Sequence, residues 1–349
     1  MVKELDPTVQ FLAQIQQLLR EGKQSSTYKF ALLQAIADLC VEKTFTIDGH
    51  PLPIHLHEIA QKFIAYYWAH DLPFAHNNPL SQNNSPSSPI AVVTQLQKRK
   101  KAGLRSLGLA QSDPKLVKQI ARTVYDMPVR HLQNIDGQPN EFIYHLDQVR
   151  DNTLFILPNA ATAFRYFHSM LTHMIRGAWM DKVRGMKCNQ SILGEESALE
   201  RYLFGSKRNT LKDYRDILRD HQNNRCFYCG KAVRQEGAAD HFIAWSRYPA
   251  DLGHNFVFAH QSCNSSKSDD LAAREHLERW LEENVAKSQI LNSAFDDVGV
   301  MHDIDRTQRI TAWAYEQGHL SSAPLWLKGN HRESFDPQIQ LILNYSFPQ

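Results

Sequence analysis

Four potential metal ligands stand out in this chain, in two pairs with the same spacing. Cys226 and Cys229 are separated by two residues, and so are His260 and Cys263. Such a gap lets a tight turn aim both side chains at one ion, and three thiolates with one imidazole complete the tetrahedral shell of a structural zinc site. For either pair alone, buried thiols beside a surface histidine are an equally good interpretation, but the repeated spacing favours zinc.

A second set of polar residues lies between and just after these pairs. Asp240 and His241 are adjacent in the sequence, and Asn255 comes 14 positions after His241 (255 − 241). Asn264 directly follows the last cysteine, and Lys267 comes shortly after it. A carboxylate and an amide oxygen can hold one hard divalent cation, and an imidazole beside them can act as a base towards a bound phosphate. Taken singly, Asp240 could be an ordinary loop acid and Asn264 an ordinary helix cap, but their joint occurrence favours a catalytic site.

The elements that must position these residues follow from the local pattern. Residues 237–245 predict a strand that carries the Asp-His pair near its end, and 246–254 predict a loop. Residues 255–260 predict a returning strand, and 263–284 predict a helix. In the loop, His254 is expected to be solvated or next to phosphate.

The order of these residues resembles the HNH, or ββα-metal, nuclease motif, in the zinc-knuckle form of stand-alone bacterial nucleases of defence and restriction type. The motif covers about one seventh of the 349 residues, and it is specific because several positions of chemistry and of structure must coincide. His260 stands where many members have cysteine. The resemblance implies a ββα-metal nuclease module with a structural zinc ion.

The resemblance also implies a role for each residue. Asp240 and Asn264 would bind the catalytic Mg²⁺ or Mn²⁺, and His241 would be the general base that takes a proton from the attacking water. Asn255 would brace the loop through backbone hydrogen bonds, and Lys267 would contact phosphate. The implied reaction hydrolyses DNA and leaves 5′-phosphate and 3′-hydroxyl ends. A free imidazole, with a pKa of about 6.5, is mostly neutral at pH 7 and suits such a base.

Outside this module, apolar residues spaced three and four apart predict a mainly helical α+β fold. Helices are predicted over 8–43 with a break at Gly22, 56–70, 91–109, 160–186 and 197–221. Short apolar runs predict strands over 142–146 and 153–157, and the polar, proline-rich residues 76–89 predict an exposed loop.

The same pattern divides the chain into three parts. We expect a mainly helical domain over 1–200 with a recognition or regulatory role, and the nuclease domain with a preceding basic helix over 201–290. Residues 291–349 are expected to form a C-terminal extension. Cys40 and Cys188 lie far from the ligand pairs and are predicted to be buried small hydrophobes.

The net charge of +2 means that contact with nucleic acid must come from local clusters of cations. One cluster lies in residues 98–105, and a second lies on the helix before the nuclease module: Lys207, Arg208, Lys212, Arg215 and Arg219. Such cations could track a phosphate backbone or simply form a solvated face. The run Tyr66, Tyr67 and Trp68 could stack on bases or belong to the core.

Composition excludes other classes of protein. Hydrophobic residues make up 42% of the chain and charged residues 22%, which excludes global disorder. The sequence has no apolar stretch long enough for a membrane span and no cleavable leader, so we expect a cytoplasmic location.

The sequence thus favours a metal-dependent HNH endonuclease that acts on DNA in bacterial defence or restriction. RNA stays open as a substrate, and so does a protein partner or regulator bound through the N-terminal domain. The alternative is a zinc-stabilised nucleic-acid-binding protein with a degenerate or partner-gated nuclease site.

Overall fold

The chain divides into two compact units. The first unit comprises Met1–Val41 and Phe45–Gly205, and the second comprises Glu42–Thr44 and Ser206–Gln349. Residues 291–349, which we predicted to form an extension, fall within the second unit. The computed structural model describes residues 6–21, 26–44, 49–74, 78–84, 88, 91–135, 137–193, 196–205 and 208–346.

The fold is α+β and mainly helical, as predicted. The helices of the first unit are α1 Pro7–Glu21, α2 Tyr28–Glu42, α3 Leu56–Tyr67, α4 Val92–Lys101, α5 Leu107–Ser112, α6 Pro114–Val124, α7 Pro158–Tyr166, α8 His168–Gly185 and α9 Glu196–Phe204. The strands form two antiparallel ladders, β1 Leu52–His55 with β4 Thr153–Ile156 and β2 Asn134–Ile135 with β3 Gln138–Pro139.

Local signals explain where several of these helices begin and end. Asp113 caps α6, because its carboxylate accepts hydrogen bonds from two backbone N–H groups of the first turn, and Pro114 occupies the first helical position. The long helix predicted over 160–186 is wrong as one element, because the backbone leaves the helical conformation at Phe167. Residues 142–146 form no strand of their own, since only Tyr144 makes an isolated bridge.

The core of the first unit takes in residues that the sequence assigned to its surface. Leu80 and Gln82 are buried, so the prediction of an exposed loop over 76–89 is wrong for these two residues, whereas Asn78 and Asn84 are exposed. The indole N–H of Trp179 donates to the Gln82 side-chain oxygen at 3.0 Å, which satisfies both buried groups. Tyr67 is fully buried, so it belongs to the core rather than to a base-stacking surface.

The second unit is built around a two-stranded antiparallel ladder and a three-stranded mixed sheet. Its elements are α10 Arg208–His221, β5 Ala238–His241, β6 Phe256–Ala259, α11 Gln261–Lys267, β7 Leu271–Ala272, α12 Arg274–Val298, α13 Ile304–Leu320, β8 Leu325–Lys328, β9 His331–Glu333 and α14 Gln338–Ser346. Strands β5 and β6 pair so that Asp240 lies opposite Val257 and His241 opposite Phe256. β8 pairs parallel with β7 and antiparallel with β9.

The helix predicted over 263–284 is interrupted. α11 ends at Lys267, and Ser268 adopts a left-handed conformation with φ of 50°. The chain then forms β7, and Asp270 pairs with Arg332 of β9 at 2.7 Å. Pairing with distant strands thus overrides the local helical pattern. Among the helices that the structure describes, none combines the length and apolar character that a bilayer span requires.

Candidate metal centre and candidate active site

The first pair of ligands lies on a tight turn. The N–H of Gly230 donates to the carbonyl of Cys226 at 2.9 Å, and the N–H of Cys226 donates to the carbonyl of Lys231 at 2.9 Å. Gly230 has φ of 67°, which glycine adopts without the steric cost of a side chain. This geometry directs Cys226 and Cys229 to the same side.

The second pair joins the first at the start of α11. The sulfur atoms of Cys226, Cys229 and Cys263 and a ring nitrogen of His260 all lie within 4.8 Å of one another. This Cys₃His cluster could bind a metal ion such as zinc, as the spacing predicted. Burial and the neighbouring thiols raise the pKa of Cys263 to about 12, because thiolates so close together repel one another.

One ring nitrogen of His260 faces the cluster, and the other faces a backbone carbonyl. Nδ1 lies 3.3 Å from the Cys229 sulfur, and Nε2 lies 3.3 Å from the carbonyl oxygen of Ala232. A metal-binding histidine commonly donates its other N–H to a carbonyl, which fixes the ring and its tautomer. The two cysteines outside the cluster differ from each other: Cys40 is buried as predicted, whereas Cys188 is exposed and its prediction is wrong.

Asp240 lies on β5, and one of its two carboxylate oxygens is fully engaged. Oδ2 accepts a hydrogen bond from the Tyr228 hydroxyl at 2.5 Å and lies 3.4 Å from the Lys267 ammonium. Oδ1 makes no hydrogen bond to any residue that the structure describes. Tyr228 sits between the first two cysteines, so the Cys₃His cluster fixes a residue that holds Asp240. Burial and the charge of Asp240 raise the pKa of Tyr228.

Lys267 is fully buried, which differs from the surface position expected for a phosphate contact. Its ammonium donates to the carbonyl of His241 at 2.9 Å, in addition to its ion pair with Asp240. Asn264 lies three residues earlier on α11 and is half-buried. Residues three apart lie near the same face of a helix, so Asn264 shares a face of α11 with Lys267.

His241 is held by an aromatic contact and a carboxylate. Its ring lies 4.2 Å from the ring of Phe256, between ring centroids, and 5.7 Å from that of Trp245. Nε2 lies 2.8 Å from Oδ1 of Asp251, in the loop between the two strands. Sequence reasoning missed Asp251, because a carboxylate in an irregular loop has no spacing that ties it to a histidine.

Two further residues of that loop take different positions. The Asn255 side chain accepts from the N–H of Ile243 at 2.8 Å and donates to its carbonyl at 2.9 Å, which ties the loop to the end of β5. His254 is 1% exposed, so the prediction of a solvated imidazole is wrong. It packs against Phe295 and His302, and burial lowers its pKa to about 4.

The predicted basic helix carries fewer uncompensated charges than its cations suggest. Arg215 pairs with Asp216 and Glu236, and Arg219 pairs with Asp216 and with Asp220 at 3.1 Å. Lys212 is exposed and makes no ion pair within the described part of the chain. Lys207 and the side chain of Arg208 lie outside the described residues.

The cluster at 98–105 is partly neutralised in the same way. Arg99 pairs with Asp113, and Lys100 pairs with Asp71 at 2.6 Å. The Lys100 ammonium also lies 4.2 Å from the centre of the Trp68 ring, a cation–π contact. Both cations therefore serve the packing of the first unit.

The family model described as a domain of unknown function, DUF8808, matches residues 8–202, and the chain belongs to this family. The match covers most of the first unit and ends before the Cys₃His cluster begins. No curated protein and no solved structure matches the chain.

Proposed function

We propose that the second unit is a metal-dependent HNH endonuclease that hydrolyses phosphodiester bonds of DNA, with His241 as the general base. The observation that carries the proposal is one juxtaposition. A β-hairpin presents Asp240 and His241, and the next helix, which carries Asn264, is held against the same strand by the Lys267 ammonium. A Cys₃His cluster connects the start of that helix to the turn that carries Cys226 and Cys229, before the hairpin.

The donor set suits a hard divalent cation. Asp240 has an oxygen without a hydrogen-bond partner among the described residues, and the Asn264 amide has none there either, so both could serve as ligands for Mg²⁺ or Mn²⁺. Such an ion neutralises charge that develops on the phosphate during hydrolysis. His241 would take the proton from the attacking water, while Asn255 and the aromatic contact with Phe256 keep its ring in place.

One observation supports a second candidate function. The Lys267 ammonium lies 3.4 Å from the Asp240 carboxylate and therefore competes with a cation for the same charge. This favours a zinc-stabilised nucleic-acid-binding protein whose nuclease site is degenerate or opens only with a partner. In that case DNA binds and no cleavage follows without the partner.

The test is cleavage of DNA by the purified full-length chain. Plasmid, linear and single-stranded DNA are incubated with Mg²⁺, Mn²⁺ or EDTA, and His241→Ala is compared with His331→Ala, which removes an exposed histidine of the same unit. We expect cleavage that needs the metal, with 5′-phosphate ends. Loss of the base should slow it by roughly 10²-fold or more, whereas His331→Ala should cleave like the wild type.

DNA affinity separates the two candidates. If His241→Ala binds DNA normally but cleaves slowly, the nuclease proposal stands. If the wild type binds DNA and cleaves none of the substrates with either metal, the binding protein with a gated or degenerate site replaces it. A role in bacterial defence or restriction, with the DUF8808 unit in recognition or regulation, is the biological setting that we propose for the nuclease.

A further inference from the structure

We infer that Asp251 is a positioning residue that fixes the tautomer of His241, so that Nδ1 is the nitrogen that accepts the proton. The inference rests on the proposed nuclease function and adds a residue to its machinery. It starts from a single contact, the 2.8 Å between Asp251 Oδ1 and His241 Nε2.

The contact decides which nitrogen carries the hydrogen. An ionised carboxylate only accepts hydrogen bonds, so Nε2 must be the donor and must carry the hydrogen. In a neutral imidazole the other nitrogen then has the lone pair. Nδ1 makes no hydrogen bond to any residue in the described part of the chain, so its lone pair is available to a water molecule.

Asp251 is itself held in place. Its backbone carbonyl oxygen lies 3.3 Å from the Tyr214 hydroxyl, whose single hydrogen is shared between this carbonyl and the nearer carbonyl of Met301 at 2.9 Å. The Tyr214 ring stacks on Phe256 at 4.5 Å, and Phe256 contacts the His241 ring. One buried tyrosine of α10 therefore supports both the carboxylate and the aromatic ring that hold the imidazole.

The loop after Asp251 packs closely against α12 at Gly253. A β-carbon added at Gly253 would lie 2.5 Å from the ring of Phe295, and the Gly253 N–H donates to Met301 at 2.8 Å. The side chains of His241 and Asp251 are 14% and 19% exposed. The pair is thus shielded from most of the solvent, while Nδ1 of His241 has no hydrogen-bond partner among the described residues.

The reaction that this arrangement would serve is hydrolysis of a phosphodiester bond by water. The water oxygen forms a bond to phosphorus, the bond from phosphorus to the 3′ oxygen breaks, and the water proton moves to Nδ1. The departing oxygen takes a proton from solvent. Asp251 touches neither water nor phosphate and acts only through His241, as a carboxylate that orients an imidazole does in other hydrolases.

The experiment compares Asp251→Asn and Asp251→Ala with Asp296→Asn as a matched control. Asp296 forms a second aspartate–histidine contact among the described residues of this unit, with His302 at 3.0 Å. Nitrogen NMR of the full-length protein labelled at histidine reports the tautomer, and the His241 signals are assigned by their loss in His241→Ala. Thermal melting checks that each variant is folded.

We expect the Nε2–H tautomer of His241 in the wild type and in Asp296→Asn. In Asp251→Asn the amide can donate to Nε2, so the signals should move to the Nδ1–H form, and in Asp251→Ala they should show a mixture. Cleavage should fall roughly 10-fold to 100-fold in kcat with KM for DNA unchanged, by analogy with the loss of a partner that orients a metal-bound histidine. Asp251→Glu should recover part of the rate.

Two outcomes would overturn the inference. The Nδ1–H tautomer in the wild type would show that Asp251 does not set the ring as described. A variant that loses the tautomer but cleaves at the wild-type rate would show that Asp251 serves stability alone. If the wild type cleaves no DNA, the proposed function fails, while the NMR result still decides whether Asp251 fixes the tautomer.

Discussion

Each unit contains a buried aspartate with the same kinds of neighbour. In the first unit, Asp38 lies 2.7 Å from the Tyr66 hydroxyl and 3.9 Å from the Lys62 ammonium. In the second unit, Asp240 has a tyrosine and a lysine at comparable distances. Burial and the types of neighbour therefore do not distinguish the two carboxylates.

Asp38 and Asp240 differ in how many of their carboxylate oxygens accept hydrogen bonds. Asp38 Oδ1 accepts from the Gln34 amide at 2.8 Å and faces His168 Nε2 at 2.8 Å, so both of its oxygens are occupied. Asp240 keeps Oδ1 without a hydrogen bond from the described residues. A fully bonded carboxylate stabilises a core, whereas one with an unused oxygen can still bind a ligand. The comparison makes Asp38 structural and Asp240 a candidate metal ligand.

The largest expected difference between the units concerns zinc, because only the second unit would depend on it. Cys229→Ser or a strong chelator should unfold the second unit, since metal binding contributes on the order of 10 kcal/mol in small zinc modules. The first unit should keep its own thermal transition. Metal analysis and calorimetry measure both effects, with Cys188→Ser, an exposed cysteine of the first unit, as the control. Folded, active protein without zinc would contradict this prediction.

Removing each aspartate should separate stability from catalysis. Asp38→Ala leaves Lys62 and its other buried partners without their carboxylate and should destabilise the first unit by about 3 to 5 kcal/mol. Its cleavage rate should stay near that of the wild type. Asp240→Ala should abolish cleavage while DNA binding survives. Urea unfolding and a cleavage assay on both variants are the measurements, and a catalytic loss in Asp38→Ala with normal stability would remove the distinction.

The sequence predicted the Cys₃His ligand set better than the surroundings of the proposed catalytic residues. Repeated spacing on tight turns fixes where side chains point, so Cys226, Cys229, His260 and Cys263 meet as expected. The partner of His241 is ten positions later in an irregular loop, where no period relates one side chain to another. Its position depends on Tyr214 and on packing against α10, which are tertiary contacts.

The charge patterns were the least informative part of the sequence. The cations of α10 suggested a DNA-binding face, but the acids between them pair with Arg215 and Arg219. The direction of Lys267 could not be predicted either, because its helical position is the same whether its ammonium reaches solvent or Asp240. Counting cations without the acids one turn away overstates a basic surface.

Acid should weaken both units to a similar degree, because each has a buried neutral imidazole with a pKa lowered to about 4. Burial is the main cause for both His70 and His254. Asp71 and Lys100 face His70, and His302 and Asp303 face His254. Below pH 6.5 the unfolded chain takes up a proton that the folded chain refuses, so stability should fall from about pH 6.5 to pH 4, by up to about 3 kcal/mol for each histidine.

Urea unfolding at pH 7 and pH 5 measures this loss in His70→Phe and His254→Phe. Each variant should lose less stability on acidification than the wild type, in its own unit alone. Asp38 should become protonated only at lower pH. Burial raises its pKa, but the hydrogen bond from His168, the charge of Lys62 and the other partners lower the pKa by more than burial raises it. If neither variant flattens the pH dependence, these histidines are protonated in the folded protein.

The smallest expected effects come from the two tyrosines that donate hydrogen bonds to Asp38 and Asp240. Tyr66→Phe and Tyr228→Phe each remove one hydrogen bond to a carboxylate, which costs about 2 kcal/mol in the unit concerned. Asp38 keeps three other partners and should not change position. Within the described part of the chain, Asp240 keeps the Lys267 ammonium as its one partner on Oδ2, so its carboxylate should turn towards that lysine and hold the proposed Mg²⁺ less well. Tyr228→Phe should therefore raise the Mg²⁺ concentration needed for half-maximal cleavage, whereas Tyr66→Phe should leave it unchanged. Equal Mg²⁺ dependence in both variants would mean that Tyr228 contributes only to stability.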